Sequence, residues 1–169
     1  MSTDYGGLRS RLVRDSLFEM VSDGLTALGW FDSGRQHLPL TFSSEPLYDE
    51  TEVSFNTLTL ADGNMDFDDA EMGSLLTELR WFFYMDFYGE SDALALHLIN
   101  DVASILRGIN VEAGRSDSVF QVWDYSQATP PQIGYCDIED VTVDRNREVG
   151  KPWKRHWFSV FFTVIDYVG

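Results

Sequence analysis

The stretch Leu75-Leu76-Thr77-Glu78-Leu79-Arg80-Trp81-Phe82-Phe83-Tyr84-Met85-Asp86-Phe87, continued through Gly89, Ser91 and Asp92 to Gly108, decides the fold. Leu75, Leu79, Trp81, Phe83, Met85 and Phe87 fall on one face at period two, which predicts a strand. Glu78, Arg80 and Asp86 take the other face, together with Phe82 and Tyr84. That second face is only partly polar, so something is expected to cover it. Gly89 breaks the strand, and Ser91 and Asp92 supply helix-start chemistry. Leu94, Leu98, Val102 and Ile105 then recur at helical spacing, and Gly108 stops the helix just after Arg107. This unit contains no catalytic punctuation.

Working outward, Leu12 to Leu28 reads as a first helix. Val13, Leu17, Met20, Val21 and Leu28 form its stripe, and Gly29 ends it. Arg9, Arg11 and Arg14 crowd its start, where they oppose the helix dipole, so either a partner holds them or the end frays. Asp32 to Tyr48, with Gly34, Pro39 and Pro46, reads as a long connection. Glu52 to Leu60 reads as a strand and Asp62 to Gly73 as an acidic loop. Val119 to Tyr125 is a short strand with Val119, Gln121, Trp123 and Tyr125 on one face. Thr129-Pro130-Pro131 makes a turn. Ile133 to Asp144 is a long strand or a bent pair. Arg145 to Pro152 is a basic turn. Arg155 to Val168 closes the chain. Trp157, Phe161, Ile165 and Tyr167 lie on one side of that strand, with Phe158, Val160, Phe162 and Val164 on the other, so it belongs in the middle of the sheet. The sum is an α+β fold: a mainly antiparallel sheet of about four or five strands with two principal helices packed on it. At 169 residues, one domain spanning 1–169 is expected.

Composition narrows the function. The chain has 12 basic and 28 acidic residues, a formal charge of −16, and 44% hydrophobic content, which argues against disorder. Such a chain is not expected to bind bare nucleic acid. The excess is concentrated: residues 36–106 carry 1 basic and 14 acidic groups. Arg145, Arg147, Lys151, Lys154 and Arg155, opposed only by Glu148, make a local cationic segment. One reading is a solvated acidic face plus a basic loop. The other is head-to-tail assembly, with the acidic part of one copy against the basic segment of the next. The N-terminus lacks the features of a signal peptide, no apolar run is long enough to span a bilayer, and synthesis in the cytosol fits.

No catalytic set stands out. The loop containing Asp62, Asn64, Asp66, Asp68 and Asp69 spaces its oxygens partly like a calcium loop. However, Phe67 occupies the position that requires Gly, and Gly73 the position that requires a bidentate Glu, so no metal is expected. His37, His97 and His156 are scattered. His97 is expected at the edge of its helix and His156 at the surface. Cys136 has no cationic sequence neighbour and reads as a packed thiol. It also excludes a disulfide framework or a thiolate zinc cage. No cofactor motif occurs.

The order of elements is an N-terminal helix, a Pro-containing connection and a strand of the Val53–Leu60 kind. The Trp81–Phe87 strand then runs straight into helix Ala93–Leu106, followed by a short strand and a final aromatic strand ending at Asp166-Tyr167. With the closing run Arg155-His156-Trp157-Phe158-Ser159-Val160, this layout resembles the tail terminator (tail completion) proteins of long-tailed bacteriophages, or a closely related head–tail connector protein. The resemblance implies a non-enzymatic virion subunit, made in the bacterial cytoplasm and working at the tail–head junction. It implies a homo-oligomeric ring, a hexamer in that family, which caps the major tail tube protein, ends tube polymerisation and meets a head completion or stopper protein. DNA would pass through the ring without specific binding. The basic residues Arg145, Arg147, Lys151, Lys154 and Arg155 are the expected protein interface. Asp62, Asp66, Asp68 and Asp69 are the expected acidic surface or channel wall. The very acidic middle third and the long Asp32–Glu52 connection depart from the layout. Another neck or minor tail protein, or a cellular α+β binding module or small enzyme, are the alternative readings.

Overall fold

A computed structural model describes residues 8–32, 39–43, 56–68, 77–146 and 156–168. The elements run α1 (Leu8–Ala27), β1 (Thr41–Ser43), β2 (Thr57–Asp68), β3 (Thr77–Tyr88), α2 (Asp92–Arg107), β4 (Val119–Trp123), β5 (Gln132–Asn146) and β6 (Trp157–Val168). The strands form one sheet in the order β1-β2-β3-β6-β5-β4. Every pairing is antiparallel except β1 with β2. The fold is α+β, as expected, and the described residues form two helices and six strands where four or five strands were expected. The sixth is the three-residue β1, too short to leave a periodic signature.

The β3–α2 unit forms as its sequence directs. Leu79, Trp81, Phe83, Met85 and Phe87 are all buried. Ser91 caps α2 by accepting a hydrogen bond from the Leu94 amide, and Gly108 closes it in the left-handed region at φ 69. Leu98, Ile99, Val102, Ile105 and Leu106 are fully buried in the shared core, while Leu94 packs at its margin. Burial of this kind stabilises by about 1.5–3 kcal/mol per large side chain. Helix α1 packs beside α2, and Gly24 permits the approach: a Cβ there would stand 2.9 Å from the Ile105 side chain.

Strand β6 is central, between β3 and β5, and buried on both faces. Phe158, Val160, Phe162 and Val164 face the helices, opposite Phe87, Met85, Phe83 and Trp81 of β3. Ser159, Thr163 and Ile165 are buried on the reverse side. Phe161 departs from the expected apolar face and is 41% exposed. In β4 the alternation holds, and the structure shows which face is buried. Phe120 and Val122 are buried, while Val119 and Gln121 face outward, and Tyr125 lies beyond the strand. Strand β5 is a single long strand with a bulge between Glu139 and Thr142, where Asp140 takes φ 55.

The expected acidic loop from Asp62 to Gly73 is corrected. Strand β2 continues through Asp68, and the backbones of Asp62, Asp66 and Asp68 pair with Phe83, Arg80 and Glu78. Hydrogen bonding to β3 won over the polar composition of that run. The β2 pairing is interrupted between Asp62 and Met65, next to Gly63 and Asn64. Asp69, Gly73 and the start of the expected Glu52–Leu60 strand lie outside the described residues.

Candidate assembly surfaces

Of the arginines expected to oppose the α1 dipole, Arg9 finds its partner inside the chain. Arg9 donates from Nε and Nη2 to both carboxylate oxygens of Asp166, at 2.7 and 2.8 Å. Asp166 is fully buried in β6. Donating to the Asp166 carboxylate raises the Arg9 pKa against the opposing effect of burial. Gly134 in β5 leaves room for the guanidinium, because a Cβ there would lie 3.1 Å from Arg9 Nη2. Beside this pair, Cys136 is buried, and burial pushes its thiol pKa well up. A thiol held protonated in this way is no nucleophile at neutral pH. Among the described residues, no group of three or more His, Cys, Asp or Glu is disposed to hold a metal ion.

At the far end of the β5–β6 ladder, Asp92 in the first turn of α2 accepts from Arg145 with one oxygen and bonds His156 Nδ1 with the other. Arg145 also lies over the Phe158 ring, 5.7 Å from its centroid. Arg145 was expected in a basic turn as an interface residue. It instead ends β5 and is engaged within its own chain. The helix N-terminus explains this, since an acid placed there for the dipole is also a ready partner for a nearby cation. Arg147, Lys151, Lys154, Arg155 and His37 lie outside the described residues. His97 is exposed at the edge of α2, its ring edge-on to Trp30 at 5.1 Å, as expected.

Among the described residues, two surfaces stand open to a partner. The first is the sheet face turned away from the helices. Phe82 is 39% exposed there, and Phe161 lies beside Tyr84 with ring centroids 6.0 Å apart. Tyr135 on β5 is 64% exposed. Glu139 and Asp144 are exposed along the same face of β5. Toward one end a polar chain crosses the strands, from Asn146 to Ser159 to Asp86.

The second surface is a cleft of about 360 Å³ between α1, the Ala113–Arg115 turn and β4. Glu19 and Asp23 of α1 line it with Met20, Trp123 and Tyr125. Burial, followed by the charges of Glu19, Asp23 and Asp15, raises the Tyr125 pKa. Arg115 lines the opposite wall, donating from Nε to Ile105 O and from Nη1 to Val119 O. Burial lowers its pKa, and its Nη2 is buried without a hydrogen-bond partner. The sequence signal for the cleft is partial: Asp15, Glu19 and Asp23 repeat every four residues and so share one face of a helix. Only the fold brings Tyr125 and Arg115 to them. No protein-family model matches this chain, and no curated protein matches it significantly.

Proposed function

We propose that this chain is the ring-forming subunit that closes the tail tube of a long-tailed bacteriophage and joins it to the head completion proteins. The observation that carries the reading is the solvent-facing aromatic patch of Phe82, Tyr84 and Phe161 on the two central strands β3 and β6. Exposed aromatics on a rigid sheet, with acids along β5, have the composition of a protein-binding surface rather than a reaction site. A net charge of −16 suits a ring through which DNA slides, because it repels phosphate. In this reading the protein acts by presenting surfaces and carries no enzymatic activity. Its partners are further copies of itself, the tail tube protein and a head completion or stopper protein.

The test is direct. Purified protein, alone and mixed with tail tubes, is measured by native mass spectrometry and imaged by electron microscopy. Closed rings with a central opening, seated on tube ends, are expected. Particles made without the protein are expected to carry overlong or unattached tails. A strict monomer that ignores tube ends, combined with normal tails in its absence, rules the reading out.

A further inference from the structure

We propose that the cleft between α1 and β4 is the receptor for the basic segment Arg147–Arg155 of a second copy. It would take one Lys or Arg side chain between Glu19 and Asp23. This rests on the self-assembling reading above and names its contact.

Two observations point to such a guest. Asp15, Glu19 and Asp23 stand at i, i+4 and i+8 on α1, a like-charge arrangement that destabilises a helix left without counter-charge. Trp123, Tyr125 and Met20 sit beside these acids, which suits the stem and head of a long cationic side chain. The segment from Arg147 to Arg155 supplies the complement, with four cations against one acid.

The guest comes from another molecule because its own chain is too short to reach. Asn146 and Trp157 are ladder partners, so residues 147–155 leave and return at one point. A nine-residue excursion of this kind extends at most about 17 Å from its base. The nearest β4 residue of the cleft, Val119, sits opposite Asp137, nine residues back along β5 from Asn146. At strand rise that is about 30 Å, and Trp123 is farther still.

The free edge of β4 is blocked at both ends, so the guest enters by side chains and not as an added strand. Asp117 accepts from the Val119 amide, Arg115 donates to the Val119 carbonyl, and Ser16 Oγ accepts from the Trp123 amide.

The test uses a synthetic peptide of residues 146–156 and the full-length protein. At low salt the peptide is expected to bind, shifting the NMR signals of Tyr125 and Trp123. The isosteric pair Glu19→Gln and Asp23→Asn is expected to weaken binding roughly tenfold, and added salt to reduce the difference. In parallel, Glu19→Cys and Lys154→Cys proteins are mixed with a thiol cross-linker, Cys136 being buried. Heterodimers are expected, with none in either protein alone. Absence of peptide binding, or equal binding by the double variant, overturns the proposal. Rings that form normally from the Glu19→Gln/Asp23→Asn protein overturn it while leaving the ring reading standing. A protein that binds the peptide but never forms rings, alone or on tail tubes, instead counts against the ring reading.

Discussion

Replacing Arg9 by Met should cost about 3 kcal/mol, and the structure says why. Asp166 is fully buried in the central strand, and Arg9 makes two charge-assisted bonds to it, at 2.7 and 2.8 Å. Removing the guanidinium leaves a carboxylate in the core with its principal partner gone. Breaking a buried pair from one side costs about 3–5 kcal/mol. The Arg9 side chain is 20% exposed, and water can follow it into the site, so the lower end of that range applies. The converse change, Asp166→Asn, should cost less, because the orphaned Arg9 can turn its charge to solvent. The joint change Arg9→Met with Asp166→Leu should recover most of the loss, since two apolar groups replace the pair without leaving a buried charge. Urea unfolding followed by circular dichroism measures all three. A double variant as unstable as the sum of its singles would refute the argument. So would an Arg9→Met cost below about 1 kcal/mol, the range of surface pairs.

The remaining expectations share that assay. Leu98→Ala should lose about 2–5 kcal/mol, because Leu98 is fully buried where α2 meets the sheet and the cavity has no route to solvent. A loss under about 1 kcal/mol contradicts that packing. Gly108→Ala should cost on the order of 3 kcal/mol or more, beyond the ordinary left-handed penalty. The new Cβ would lie 2.0 Å from the Asp117 carbonyl carbon at φ 69, and a near-neutral variant disproves the close approach. Burial raises the Cys136 thiol pKa. Above its ordinary value of about 8.5 the unfolded chain therefore releases a proton that the fold keeps, and stability falls as pH rises, by about 1.4 kcal/mol per unit. Cys136→Ala should flatten that slope between about pH 8.5 and 10, and an unchanged slope assigns it elsewhere.

The sequence disclosed those parts of the fold whose signal is local and periodic. Ser91, Gly108 and the apolar series from Leu79 to Phe87 each act on their immediate neighbours, and each stands where its spacing directs. It misled where pairing partners decide. Asp62, Asp66 and Asp68 look like loop by composition, but a backbone ladder to β3 is indifferent to side-chain charge and holds them extended. Val119 to Tyr125 alternates without saying which face is buried. Phe120 and Val122 turn inward because β4 is an edge strand whose other flank meets α1. Arg9 looked like a misfit at a helix start until Asp166, 157 positions away, came beside it. Contacts at such separation leave no trace in a local pattern.

Arg145 shows what this means for the charge map. Counted by composition, it belongs to the basic segment. In the fold it is spent on Asp92, and reversing it to Glu would set two acids together at the start of α2. The test of that segment therefore belongs to Arg147, Lys151, Lys154 and Arg155, leaving Arg145 to hold the base of the β5–β6 ladder. The sheet edges point the same way. β1 is three residues long, and Arg115, Asp117 and Ser16 occupy the outward groups of β4 at both its ends. Edge pairing repeats without limit when it is available, as in fibres. With the β4 edge blunted, the assembly proposed above would join copies there through side-chain surfaces rather than by strand pairing. A basic segment entering an acidic cleft is a heterologous contact, and such a contact either closes into a ring or runs on as a helix. The rotation between successive copies decides which, and closure is what a tube-capping subunit requires.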